Sequence, residues 1–440
     1  MGAATAPGDE TNLVTAFFIF LYQLVLILAW PLVRVRLWWR GRREPGYRER
    51  VAERFGRVPA AVPTGAVWVH AVSAGETIAA VPMIERLRKA NPGAPLLVTT
   101  MTPTGSGEVT RRLGHQVSHC YAPYDFPWAV DAFLDKVEPR ALILVETELW
   151  PNLVLRSRQR GIPVVLVNGR LSERSARSYA RVGPLVARML SAFDLIACQS
   201  DAHRSRFLAL GAKPDSVRVL GSVKFDLTLN DQLRAEAVRL RQVWGLVGRP
   251  VMIAASTHPG EEEQVLEAFR TLRREFPSAC LLLVPRHPVR TVEVIELVTR
   301  HGLQAMRQSQ PERRAEDVVV GDVMGTLLTL YGVADIAFVG GSLVAQGGHN
   351  PIEAAAWSKP VIVGPHVFNF QVVVDGFVEA GALTVVPDAS MLAATASRLL
   401  RDPAFAAAQG MKGAAVVAAS AGALDRTLDA LAETLLLRAQ

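Results

Sequence analysis

A chain of 440 residues with a hydrophobic fraction of 50% and a mean hydropathy of +0.21 holds two domains with sizeable cores and calls for a membrane segment, a parallel-stranded interior, or both. Three widely spaced cysteines, Cys120, Cys198 and Cys280, exclude a disulfide framework and fit a reducing cytoplasmic setting. A net charge of +7, with an isoelectric point near 9.6, leaves nucleic acid, an anionic membrane surface or an anionic substrate as partners, so the placement of the charge decides.

After a short tail at 1–12 comes an uncharged apolar run at 13–33, the length of a bilayer-spanning helix. Only Asp9 and Glu10 precede it, whereas Arg34, Arg36, Arg40, Arg42 and Arg43 follow it with Trp38 and Trp39 among them. The positive-inside rule therefore predicts a single-pass anchor with the rest of the chain on the cytoplasmic side. A cleaved signal peptide would carry its positive charge ahead of the run and small residues after it, the reverse of what stands here. The basic segment at 34–60 reads as lying on anionic headgroups, which accounts for much of the net charge; no nucleic-acid-binding module shows elsewhere.

Beyond residue 60, short β-branched runs alternate with helical stretches. Strands are predicted at Val67–Ala71, Leu96–Thr100, Ala141–Val145, Val164–Val167, Leu195–Ala197 and Val217–Leu220, with helices such as Thr77–Lys89 and Ala129–Val137 between them. Near-continuous apolar strands in this alternation predict a parallel sheet covered on both faces. A polar helical stretch, Leu229–Arg241, precedes a second series: Val251–Ala255, Leu281–Val284, Ile336–Val339, Val361–Val363 and Leu383–Val386. The predicted organisation is an N-terminal Rossmann-like domain at 61–228, a linker at 229–241, a second Rossmann-like domain at 242–404 and a helical segment at 405–440, with a cleft between the two domains.

The run from Gly340 through Glu353 is the strongest local signal. An apolar strand ends at paired glycines that allow close backbone approach; Asn350 reads as an N-cap, Pro351 as the first helical residue and Glu353 as a capping-box carboxylate, so the helix start would favour a phosphate. In the first half, Glu76 falls at the end of a strand and the start of a helix, where open α/β sheets bind ligands and the helix dipole favours an ionised carboxylate. Glu146 and Glu148 leave one apolar strand, and the sequence does not tell which points to the ligand. Lys224 ends a further strand, suited to developing negative charge. In the second half the segments Ser256–Glu263, Pro285–His287, whose Arg286 suits phosphate or carboxylate, and Asp322–Thr326 all close strands, which favours a nucleotide site. His115, His119 and Cys120 make a weak ligand set because Gly114 argues against a helix presenting them together; no metal site, Walker-type loop or Gly-x-Ser-x-Gly elbow is predicted.

Taken together, the stretches His70–Glu76, Glu146–Asn152, Val167–Ser172, Ser256–Glu261, Pro285–His287 and Gly340–Glu353 resemble the Kdo transferases, enzymes that attach 3-deoxy-D-manno-octulosonic acid (Kdo) to lipid A precursor. The resemblance covers nearly all the chain past the apolar run. It implies a GT-B fold, CMP-Kdo as donor, lipid A precursor as acceptor, metal-independent inverting transfer without a cofactor, and attachment to the bacterial inner membrane and its lipid. It also carries over the general base to Glu76, transition-state support to Glu146 and Lys224, and CMP contacts to Pro285 and Arg286, to Met324, Gly325 and Thr326, and to Asn350, Pro351, Ile352 and Glu353. Thr326 stands where the family often has a glutamate, which puts a carboxylate contact there in doubt. Two other readings compete: a GT-B enzyme acting on a UDP-sugar, and a membrane-tethered nucleotide-binding scaffold. The second has no need of the carboxylates at Glu76 and Glu146.

Overall fold

The computed structural model describes residues 7–310 and 317–436; parts of the expected tail (1–6) and of the last helical segment (437–440) lie outside them. The chain divides into two units. The first runs to Asp226 and takes the chain back at Gly422; the second is Leu227–Ala421.

In the first unit seven strands, β1 (Val67–His70), β2 (Leu96–Thr100), β3 (Ser118–Tyr121), β4 (Ala141–Val145), β5 (Val164–Gly169), β6 (Leu195–Cys198) and β7 (Val217–Val219), form one parallel sheet in the order β3-β2-β1-β4-β5-β6-β7. Successive side chains on a strand point to opposite faces, so each strand feeds two cores. Trp68, Leu142, Leu144 and Leu166 pack with Phe133, Phe193 and Phe207 on one side. Val69, Ile143 and Val165 pack with Ile84, Val109 and Leu431 on the other. Leu431 belongs to the helix Ala423–Leu436, which returns from the far end of the chain to cover this face.

The second unit repeats the plan with β8 (Val251–Thr257), β9 (Cys280–Pro285), β10 (Ala305–Arg307), β11 (Val318–Val320), β12 (Ile336–Val339), β13 (Val361–Val363) and β14 (Leu383–Val385), ordered β10-β11-β9-β8-β12-β13-β14 and all parallel. In each sheet the chain reverses its direction of travel once, between β1 and β4 and between β8 and β12, which creates the switch points where such sheets take ligands.

The amino-terminal helix is continuous from Pro7 to Arg43, with Pro31 inside it, so it carries both the apolar run and the first arginines of the basic segment. It packs against helix Gly183–Leu190 of the first unit. The Tyr22 hydroxyl donates to Asp125 Oδ2 at 2.8 Å, and Gln23 Nε2 donates to Asn152 Oδ1 at 2.9 Å.

Candidate active site

The first cluster is assembled by the carboxyl ends of β1, β4, β5 and β7. After β1 the chain turns at Ser73, the N-cap of helix Ala74–Ala90. Ser73 Oγ accepts from the Glu76 N–H at 3.3 Å and donates to Glu76 Oε1 at 2.8 Å, while Val72 N–H donates to Glu76 Oε2 at 2.8 Å. Glu76 thus sits at the capping-box position, its carboxylate reaching past the N-cap to the Val72 N–H at the strand end. Burial raises its pKa, against the lowering by the Ser73 and Val72 hydrogen bonds; Glu146 adds to the rise and Arg170 opposes it. Desolvation outweighs the hydrogen bonds and the charge that favour the ionised form, which makes this group a better base.

Glu146 follows β4 with φ 65°, a left-handed conformation uncommon for a non-glycine residue. Its Oε1 lies 2.8 Å from Lys224 Nζ and its Oε2 3.2 Å from Arg170 Nε. Two cations around one buried carboxylate satisfy the rule that buried charge is paired. Asn168, at the end of β5, is also left-handed, with φ 53°; its Oδ1 accepts from Val223 N–H at 3.3 Å and so fixes the turn Val223–Phe225 that carries Lys224. Glu148 accepts from Trp150 Nε1 at 2.6 Å. Its carboxyl is pushed up to about 7 by burial and by the charge of Glu76, with the Trp150 bond opposing. The two carboxylates that the sequence left alike stand in different environments: Glu146 is held by cations, Glu148 by an indole N–H. Arg170 stood in a motif without a role, and the missing signal was its reach back to Glu146.

The second cluster lies on the other unit, at the carboxyl ends of β8, β9, β11 and β12. The Gly340–Gly341 turn is obligatory: a Cβ on Gly340 would stand 2.8 Å from Glu261 Oε2 and 2.9 Å from Ala255 O, and Gly341 has φ +67°. The N–H groups after these glycines are not free for a ligand. Glu261, fully buried, accepts from Gly341 at 2.7 Å, Ser342 at 3.0 Å, Leu343 at 2.9 Å and His258 at 3.2 Å. Across the switch point His258 Nε2 and His349 Nε2 are 2.8 Å apart, one ring donating to the other. Burial lowers both pKa values, with Arg286 and His287 adding to the effect, so this pair is neutral at pH 7. No role was assigned to it from the sequence; its members come from segments 91 residues apart.

Pro285 ends β9, and the exposed Arg286 beyond it donates its N–H to Thr257 O at 2.9 Å; its guanidinium has no hydrogen-bond or ion-pair partner among the described residues. Met324 and Gly325 follow β11 and are exposed. Thr326 is turned inward, donating to Val323 O at 2.9 Å and accepting from Gln308 Nε2 at 2.8 Å. Asn350 Oδ1 accepts from Ile352 N–H at 3.1 Å, and its amide donates to Glu353 Oε1 at 3.4 Å. Here the expected cap is corrected. The N-cap is Pro351 and the helix is only Ile352–Ala356, because Asn350 closes a tight turn on Ile352 before helical geometry begins. So short a helix has little dipole, and charge at this edge comes from side chains. His119 and Cys120 lie in β3 rather than on a helix, with His119 bonded to Ser106 Oγ and Val98 O, both at 2.8 Å.

A family model described as 3-Deoxy-D-manno-octulosonic-acid transferase (kdotransferase) matches residues 49–227. The chain is similar to the 3-deoxy-D-manno-octulosonic acid transferase of Haemophilus influenzae, 40% identical over 417 residues, covering 94% of this chain and 97% of that protein. It is also similar to the enzyme of the same name from Bordetella pertussis, 39% identical over 430 residues, covering 94% and 99%. Among solved structures, S. aureus MnaA with UDP is similar at 15% identity and a TM-score of 0.58, covering 85% of this chain and 98% of that one. That likeness speaks for the fold alone, two Rossmann-like units of GT-B type.

Proposed function

The chain belongs to the 3-deoxy-D-manno-octulosonic acid transferase family and is a glycosyltransferase, and from that premise we propose that it moves Kdo from CMP-Kdo to a lipid A precursor in lipopolysaccharide synthesis, with inversion and without a metal. The observation that carries the residue assignment is the first cluster, where Glu146 is neutralised by Lys224 and Arg170 while Glu76 beside it has no cation in bonding contact among the described residues. Glu76 takes the proton of the acceptor hydroxyl as its oxygen forms the bond to the anomeric carbon. The bond from that carbon to the CMP phosphate breaks, and its electron pair leaves with the phosphate. Lys224 and Arg170 offset the negative charge gathered at this edge. On the second unit Arg286 offers a guanidinium to the leaving phosphate, with Pro285, Met324, Gly325 and the Asn350–Glu353 turn as the nucleotide's backbone contacts and Thr326 giving no side-chain carboxylate. The apolar run of the amino-terminal helix and the exposed arginines in its last turns attach the chain to the cytoplasmic face of the inner membrane, where the acceptor resides.

Incubating the membrane-bound full chain with CMP-Kdo and tetraacyl lipid A precursor, read by mass spectrometry, is expected to give an acceptor heavier by whole Kdo residues; product from a UDP-sugar instead would overturn the donor assignment. Glu76→Gln is expected to lower kcat by about 10²–10⁴-fold with CMP affinity retained. A fully active variant removes Glu76 from the role of base.

A further inference from the structure

We propose that the amino-terminal helix lies in the plane of the membrane surface, docked lengthwise on the first unit, and does not cross the bilayer. Phe18, Tyr22, Leu26, Ala29, Val33 and Leu37, spaced by three and four, are the half-buried or buried stripe that meets the unit. Phe17, Leu21, Leu24, Leu28 and Leu32, on the same spacing, are exposed. A helix crossing the membrane through residues 13–33 would have its midpoint at residue 23, with about 15 Å of hydrocarbon to either side. Tyr22 and Gln23 are the two residues that bond to Asp125 and Asn152.

Asn152 opens helix Pro151–Gln159, and Arg156, Arg158 and Arg160 follow within about 12 Å along its axis. They are ion-paired to Asp131, to Asp194 at 3.3 Å, and to Asp131 and Asp135 at 2.9 Å each. A bilayer centred on Gln23 would enclose this whole charged network, which hydrocarbon does not tolerate. Laid flat, the helix keeps its docked stripe and the network out of the lipid and gives the opposite, apolar stripe to it.

The surface that would receive this face is an anionic lipid leaflet. Arg34, Arg36, Arg40 and Arg42 are exposed on the same helix beside exposed Trp38 and Trp39, and Arg34, Trp38, Tyr47 and Arg48 line a hollow of about 270 Å³. The docking also places the membrane next to the chemistry, since Gln23 bonds to Asn152, four residues beyond Glu148. An acceptor anchored by its acyl chains then reaches the carboxylate cluster along the helix without leaving the interface. The inference stands whatever sugar is transferred.

Nitroxide labels at Leu13→Cys and Leu24→Cys, both exposed, one at the start of the apolar run and one beside its midpoint, test it, in the full chain reconstituted in phosphatidylethanolamine–phosphatidylglycerol vesicles. The native cysteines are buried, and the unsubstituted chain controls for their labelling. The two positions share one helix face and stand about 16 Å apart along the axis. Depth read from oxygen against nickel-chelate relaxation is expected to be equal within a few Å at both. A difference approaching 16 Å would show a crossing helix and overturn the proposal, as would full water exposure at both sites.

Discussion

Burial and the charge of Glu76 push the Glu148 carboxyl up to about 7, far above its ordinary range near 4.5, and this has a consequence for stability. Between those two values the folded chain holds a proton that the unfolded chain has lost. Stability therefore falls as pH rises from about 4.5 to about 7, by at most about 3 kcal/mol from this one group. Glu148→Gln keeps an acceptor for Trp150 and removes the titration. Its melting temperature is expected to equal or trail that of the parent at pH 5 and to overtake it by pH 7.5. Parallel pH dependence in the two proteins would show that Glu148 is ionised throughout. The sequence showed two carboxylates on one strand end. What it lacked were their neighbours, Arg170 and Lys224 for one and Trp150 for the other, and only Trp150 is close in the chain.

At the scale of elements, strands with uniformly apolar composition were legible. Ala141–Val145 and Leu96–Thr100 appear with the predicted bounds because a strand buried on both faces leaves no other pattern. Ser118–Tyr121 was missed since its outward polar atoms are satisfied locally, by His119 bonds to Ser106 and Val98 that no periodicity reveals. The glycine loop was found, but not what holds its form: the N–H groups of Gly341, Ser342 and Leu343 donate to the protein's own Glu261. Each Glu261 oxygen accepts from two backbone N–H groups, so whichever oxygen an amide nitrogen replaces, two donors lose their acceptor. Glu261→Gln is expected to destabilise the second unit by about 2–5 kcal/mol and to weaken CMP binding by loosening the loop before Asn350. Calorimetry with CMP titration checks both; an unchanged transition would mean that the loop keeps its form without the charge.

For the molecule as a whole, the chain passes between its two units twice, at Asp226–Leu227 and at Ala421–Gly422, and closes the first unit with its last helix. The sequence read 405–440 as a helical segment and left open where it packs. In the structure Ala421 and Gly422, the latter with φ 83°, separate helix Pro403–Ser420 from helix Ala423–Leu436. The crossing is clasped by Asp226, which accepts from Gly422 N–H at 2.5 Å and Leu424 N–H at 2.6 Å, and by Arg426 Nε donating to Leu220 O at 3.0 Å. Leu431 then enters the core formed by Ile84, Val145, Val167 and Leu195 and is fully buried. Truncating so enclosed a side chain costs its transfer energy plus that of the cavity left behind, about 3 kcal/mol for Leu431→Ala. The loss falls on the unit that carries Glu76 and Glu146, although residue 431 lies at the opposite end of the sequence from both. Thermal unfolding of the variant is expected to show an earlier transition for the first unit with the second unchanged, and binding of CMP, assigned to the second unit, should survive between the two transitions. If instead the second unit melted early, the last helix would belong energetically to the wrong half, and the division of the chain at Asp226 and Gly422 would have to be redrawn.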